Sequence, residues 1–172
     1  MTARTTVSKE VEFDTGHRVP DHGSKCRHPH GHRYRLRVTC AGEVVDEPGS
    51  TDHGMVVDFG DLKRWMTERV HDVLDHGMVV ARTDHDLRNA MLGTGHLDDF
   101  YQLVEMGDGW WQQPNPYGWN VVVVDWSPTA ENLARWCWDQ LEPVVAEHWR
   151  GNMHLALVEL WETPTSVATY VR

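Results

Sequence analysis

The sequence predicts a single α+β domain over residues 1–172, assembled from strand pairs and two helices. Three observations carry this reading. Two stretches alternate apolar and polar residues with period two, two others repeat apolar residues at helical spacing, and no repeat, low-complexity tract or linker divides the chain. At 172 residues the chain can bury about 70% of the surface its unfolded form exposes, so it needs no disulfide or metal merely to hold together.

Val7 to Val19 reads as the first strand, with Val11, Phe13 and Thr15 on one face and Glu12 and Asp14 on the other. A loop rich in Gly, Pro and His follows. HRYRLRVTCAGEVV then alternates cleanly: Tyr34, Leu36, Val38 and Cys40 face one way, Arg33, Arg35 and Arg37 the other. GMVVDF reads as a short apolar strand. It leads into a helix from Asp61 to Leu74, whose apolar face is Leu62, Trp65, Met66, Val70, Val73 and Leu74. The second helix opens at SPTAENLARW, with Ser127 at the N-cap and Pro128 at the first helical position, and runs on through Ala134, Cys137, Leu141 and Val145. MHLALVELWET and SVATYV close the chain as strands. Residues from about 77 to 120 read as an irregular insertion punctuated by GTG, GDG and PNPYG. Its Trp110, Trp111, Tyr117 and Trp119 are expected to pack on the surface or at an interface, where the segment can serve as a lid.

With 26 acidic against 16 basic residues the net charge is −10, a poor match for nucleic acid, so any anionic ligand needs a local basic cluster. Three cysteines, Cys26, Cys40 and Cys137, have no disulfide-like spacing and favour a reducing compartment. MTARTTVSKEVEF has no apolar core of signal-peptide length, and no stretch of about 18 apolar residues exists for a membrane span. The expected location is cytoplasmic.

The densest chemistry lies in SKCRHPHGHRY, residues 24–34. Residues two apart in an extended chain project to the same side, so His30 and His32 are neighbours on one face at the start of a strand. A hairpin would return the preceding strand alongside them and bring His17 within reach. Three neutral imidazoles with a fourth position left open form the catalytic zinc pattern. A bland reading stands beside it, because most H-x-H pairs on strands ligate nothing. No glutamate follows His32 at three or four residues, which removes a cupin. Cys26 is either a small buried side chain or, flanked by Lys25 and Arg27, a reactive thiolate. Asp75 and His76 end the first helix; the histidine is a helix-dipole partner or, set by the aspartate, a proton-transfer group. Glu162, at the end of an apolar strand, is solvated or accepts a ligand's N–H groups.

Taken in order, FDTGHR, CRHPHGH, GMVVDFGDLK, LDH, PTAENLARW and ELWET resemble the 6-pyruvoyl-tetrahydropterin synthase / 6-carboxytetrahydropterin synthase family. The resemblance implies a tunnelling fold: an antiparallel four-stranded sheet with two helices on one face, three subunits closing a barrel and two trimers stacking into a homohexamer. It implies one Zn2+ per subunit on His17, His30 and His32, and a catalytic set of Cys26, Asp75, His76 and Glu162. Glu162 would also grip the pterin, with Thr129 helping to seat it, and the Asp-His pair can serve a neighbouring subunit's Cys26. Three residues between the cysteine and His-Gly-His resemble the carboxy branch. That branch converts 7,8-dihydroneopterin triphosphate to 6-carboxytetrahydropterin with loss of acetaldehyde and triphosphate, toward 7-deazaguanine bases of the queuosine type. The alternatives are the pyruvoyl reaction, which eliminates triphosphate, and a related zinc lyase acting on another pterin. The chain departs from the family after LDH, where GMVVARTDHDL replaces the usual Leu-Asn, and its stretch from Gly77 to Ser127 is longer than in compact members.

Overall fold

The computed structural model of the chain describes residues 4–92, 103–112, 120–148 and 153–172. Strands β1 (Thr5–His17) and β2 (His30–Gly42) form an antiparallel pair in register from Thr5 opposite Gly42 to His17 opposite His30. The alternation read from the sequence decides which face is buried: Tyr34, Leu36, Val38 and Cys40 are all 0% exposed. The arginines of β2 project from the other face, where Arg33 pairs with Asp14 and Arg37 with Glu10 and Glu159.

The last two strands complete the expected antiparallel sheet. By residue range they are β7 (Met153–Thr163), which pairs with β2, and β8 (Ser166–Tyr170), which pairs with β7. Thr39 lies opposite Leu157 and Cys40 opposite Leu155, so Ala156 is an extra residue on β7. Such a bulge breaks the period of two. It explains why MHLALVEL looks apolar on both sides: Leu155 and Val158 both reach the core across the bulge.

GMVVDF is not a strand. Val56 and Val57 enter the core, and Asp58 accepts a hydrogen bond from the Gly60 N–H at 2.5 Å, capping a helix that starts at once. Helix α1 (Phe59–Met66) widens into a π-helical stretch (Thr67–His71) and closes with α2 (Asp72–Leu74). Core residues spaced by four, Leu62, Met66, Val70 and Leu74, drift around an ideal α-helix, and the wider turn brings them back to one face. The long C-terminal helix (Ala130–His148) is capped two residues later than expected. Thr129, not Ser127, is the N-cap: its hydroxyl accepts from the Asn132 N–H, and its carbonyl accepts the first helical bond from Leu133. Pro128 therefore stays outside the helix with its carbonyl free for another partner.

Much of the described part of the segment read as irregular is regular structure. Strand β3 (Gly77–Ala81) pairs in parallel with the end of β1 and with β6 (Asn120–Val124). Helix α3 (His85–Leu92) follows β3, and β4 (Val104–Gly107) and β5 (Trp110–Gln112) form an antiparallel pair that extends the sheet beyond β6. Numbering the C-terminal helix α4, the eight strands run β4-β5-β6-β3-β1-β2-β7-β8. The valine run of β6 is the signature of a strand buried on both faces. Val122 and Val124 join the main core, whereas Val121 and Val123 pack with Val80 and Leu87 on the opposite side. Trp110 is 5% exposed and meets Trp136 edge to face at 5.4 Å, and Arg82 stacks on Trp111. These two tryptophans are sheet residues and do not form a lid. Tyr117, Trp119, GTG and PNPYG lie outside the described residues. Among the described residues no helix is long and apolar enough to cross a membrane.

Candidate metal centre and active site

Strand register assembles the candidate metal site. His17 ends β1 directly opposite His30, and Thr15 faces His32, so all three rings emerge on the core side of one sheet end. Their centroids are 4.6, 5.4 and 4.9 Å apart, and their candidate ligand atoms all lie within 4.8 Å of one another. His17, His30 and His32 are thus a group able to hold a metal ion. The nitrogens are also oriented for it. His17 Nδ1 donates to the Pro128 carbonyl at 2.6 Å, and His30 Nδ1 donates to the His28 carbonyl at 2.7 Å, which leaves each Nε2 unprotonated to ligate. His32 Nε2 is buried with no hydrogen-bond partner, a costly state for a polar atom unless something else satisfies it. Burial opposes protonation of His17 and pushes its pKa down, which favours the neutral imidazole that a cation requires.

Glu162 stands against this cluster rather than in solvent. Its Oε1 is 3.4 Å from His17 Nε2 and 3.9 Å from His32 Nε2. The Tyr34 hydroxyl donates to the same oxygen at 3.3 Å and lies 3.2 Å from His17 Nε2. Burial, reinforced by the Glu162 carboxylate, pushes the Tyr34 pKa far up and keeps it a donor. Tyr34 was legible only as an inward-facing strand residue; nothing in the sequence marks its hydroxyl as the bridge between two site residues. The Pro128 carbonyl was likewise missed, because the helix was expected to begin there.

Cys26 lies in a short helical turn (Lys25–Arg27) whose residue is partly exposed, and it is outside the three-histidine ligand group. Its carbonyl accepts from the Val19 N–H at 2.9 Å. Cys40 and Cys137 are fully buried, and burial pushes the Cys40 thiol up to about 12 and Cys137 higher still. Of the three free thiols only Cys26 is accessible. Arg33, forked onto Asp14 at 3.2 and 3.0 Å, points to the other face of the sheet.

Asp75 and His76 form a pair of their own at the junction of β1 and β3. His76 Nδ1 donates to Asp75 Oδ2 at 2.7 Å, Asp75 Oδ1 accepts from the Asp14 N–H at 2.8 Å, and the His76 N–H donates to the Asp14 carbonyl at 2.7 Å. Burial pushes the Asp75 pKa up, but the Asp14 N–H and His76 outweigh it and hold the carboxyl below its ordinary range. His76 has φ of 54°, a left-handed conformation that costs about 1–3 kcal/mol outside glycine and concentrates at functional sites. Asn120 holds the pair from behind, its amide donating to the Val73 and Asp75 carbonyls at 2.9 and 3.2 Å. A Cβ on Gly77 would lie 2.8 Å from the Leu74 carbonyl oxygen, so only glycine passes this junction. No hydrogen bond or ring contact among the described residues joins the His76 ring, 83% exposed, to the histidine cluster of the same chain. Thr129 is engaged as the α4 cap, one residue from the carbonyl that holds His17.

A three-histidine group able to hold a metal ion, at the end of the β1–β2 pair with a carboxylate at its rim, stands in an α+β fold whose solved neighbours carry the tunnelling fold. A sequence profile of the 6-pyruvoyl tetrahydropterin synthase family matches residues 6–172, and the chain belongs to that family. It is 28% identical over 164 residues to 6-carboxy-5,6,7,8-tetrahydropterin synthase of Haemophilus influenzae, covering 95% of this chain and 96% of that one. The enzyme of the same name from Rickettsia conorii is 30% identical over 157 residues, with 91% and 93% covered. That of Synechocystis sp. is 31% identical over 164 residues, with 95% and 91% covered. Among solved structures, an uncharacterized protein from Wolinella succinogenes superposes with a TM-score of 0.79 at 27% identity over 99% of both chains. The 6-pyruvoyl tetrahydropterin synthase of Caenorhabditis elegans, with a TM-score of 0.59 at 22% identity over 99% of this chain and 96% of that one, shares the fold.

Proposed function

We propose that the chain is a zinc-dependent 6-carboxy-5,6,7,8-tetrahydropterin synthase. It would convert 7,8-dihydroneopterin triphosphate and water to 6-carboxytetrahydropterin, acetaldehyde and triphosphate in the synthesis of 7-deazaguanine bases. The observation that carries this is the His17–His30–His32 cluster with its unpartnered Nε2 on His32 and Glu162 at its rim. The relatives named for the carboxy reaction support that branch over the pyruvoyl one. The imidazole donor set fits zinc. Bound there, zinc supplies a Lewis acid that acidifies the C–H bonds beside the substrate's side-chain hydroxyls.

The chain's own groups do the rest. The Cys26 thiolate takes the proton from the side-chain carbon, and His76, held in its tautomer by Asp75, returns one. Glu162 accepts two N–H donors of the pterin ring and fixes it in register with the metal, while Tyr34 holds the carboxylate in place. Thr129 lies on the wall that seats the ring. The Asp75–His76 pair can serve the Cys26 of a neighbouring subunit, in keeping with the lack of a hydrogen bond or ring contact between the His76 ring and the histidine cluster among the described residues. Removing zinc by chelation should abolish turnover of dihydroneopterin triphosphate, and adding zinc should restore it. Full activity in zinc-free protein would overturn the assignment.

Assembly follows from the same reading. The side of β1 away from β2 over residues 5–13, which β3 does not reach, and the outer side of β8 have no strand partner among the described residues, and open edges seek one. The sheet face away from the helices is not apolar, as Arg35 and Arg37 stack on Trp161 at 4.3 and 5.1 Å. Edge pairing therefore drives closure, and a homohexamer of two trimers is expected. A monomeric mass by light scattering at micromolar protein would contradict it. Cytoplasmic localisation fits the three free thiols.

A further inference from the structure

Asp84 is unusual among the described residues: it is 4% exposed and one of four buried polar or charged side chains, with Thr15, His17 and Thr39. It stands just before helix α3, in the segment where the chain departs from the compact pattern. Its carboxylate is fully engaged. Both oxygens receive the Arg18 guanidinium in a fork, and one also accepts from the Leu87 N–H, which caps α3. Arg18 follows the ligand His17 and opens the loop that carries Cys26. The next residue, Val19, donates its N–H to the Cys26 carbonyl at 2.9 Å and accepts from the His22 N–H at 3.1 Å. Residues 21–25 and 27–29 are exposed, so little else packs this loop down. A groove of about 510 Å3 separates loop from helix, lined by Arg27 and His28 on one side and Thr83 and His85 on the other.

We infer that Arg18 and Asp84 form a strut through which the β3–α3 segment sets the position of the Cys26 loop, making Asp84 a positioning residue. A planar guanidinium–carboxylate fork fixes direction as well as distance, which a single contact from a long flexible side chain does not. The carboxylate sits on a capped helix that packs Leu87 against Val80, Val121 and Val123, so the fork is anchored on sheet rather than on another loop. One end of the strut is rigid, and the other is a single residue from the backbone that holds Cys26. The catalytic consequence rests on the proposed role of Cys26, but the positional one does not.

The test uses Cys26 as its own reporter, because Cys40 and Cys137 are buried. The rate of iodoacetamide labelling is measured on zinc-loaded full-length protein, with Cys26→Ala as the blank, alongside zinc content and melting temperature. Asp84→Asn keeps the cap and removes the charge; Arg18→Lys keeps the charge and removes the fork, a milder change that preserves folding. Each should alter the labelling rate about tenfold, the double variant should do no more than the stronger single one, and zinc content should be unchanged. The kcat should fall by about tenfold with KM little changed. An unchanged labelling rate in both folded, zinc-loaded variants would overturn the strut, even if the melting temperature falls. An altered labelling rate with normal kcat would support the strut and count instead against Cys26 as the proton-transfer group.

Discussion

Replacement of His32 by alanine is expected to empty the metal site and lower turnover by at least about 10²-fold, while leaving the protein folded. Two features separate these effects. His32 contributes an Nε2 with no hydrogen-bond partner, 3.9 Å from Glu162 Oε1, so its loss removes a candidate metal ligand and breaks no hydrogen bond. Its ring stands at the partly exposed start of β2, beyond the core residues Tyr34, Leu36 and Val38 that hold the strand. His30→Ala should behave the same way. His17 is a poorer probe, because it is 2% exposed and tied to Pro128, and its removal would disturb the start of α4 as well. Metal analysis and calorimetry on the His32 variant are sufficient. Zinc at full occupancy in His32→Ala would exclude the three-histidine site as the metal centre.

The second large effect separates catalysis from binding. Cys26→Ala should keep zinc, keep its melting temperature and still bind the pterin, yet lose about 10²-fold or more in rate, the usual scale for a general acid–base group. The thiol is outside the ligand group and only partly buried, so neither metal loss nor a core cavity is expected. Glu162→Ala should act differently and weaken substrate binding along with rate, because it removes the ring's anchor. It also removes the carboxylate that the Tyr34 hydroxyl holds in place, so Tyr34→Phe in the same background should add little further loss. A Cys26→Ala protein that turned over near the wild-type rate would remove the thiol from the mechanism.

The three-histidine cluster was legible because strand geometry converts an H-x-H spacing into a common face, and a hairpin then fixes which earlier residue lies opposite. The register from His17 to His30 is that inference realised. The four-stranded antiparallel core was legible for the same reason of period two. What the sequence concealed were features set by non-local partners. GMVVDF has strand-like composition, but Asp58 caps a helix there and its valines are buried beneath it. Thr129 took the cap expected of Ser127, and Pro128 stayed outside the helix with its carbonyl held by a histidine 111 residues away. The segment after His76 looked irregular because β3 and β6 are short and pair in parallel, with apolar runs and no alternation. The Asp75–His76 pair was recognisable as a motif, but its anchoring by Asp14 and Asn120 depends on strands that local pattern did not reveal.

Identification of the product tests the central claim most directly. Zinc-loaded protein is incubated with 7,8-dihydroneopterin triphosphate, and the pterin and the two-carbon fragment are followed together by mass spectrometry. The account predicts 6-carboxytetrahydropterin and acetaldehyde in equal amounts, with triphosphate released. A 6-pyruvoyl product without acetaldehyde, or no turnover by the zinc-loaded protein, would contradict it.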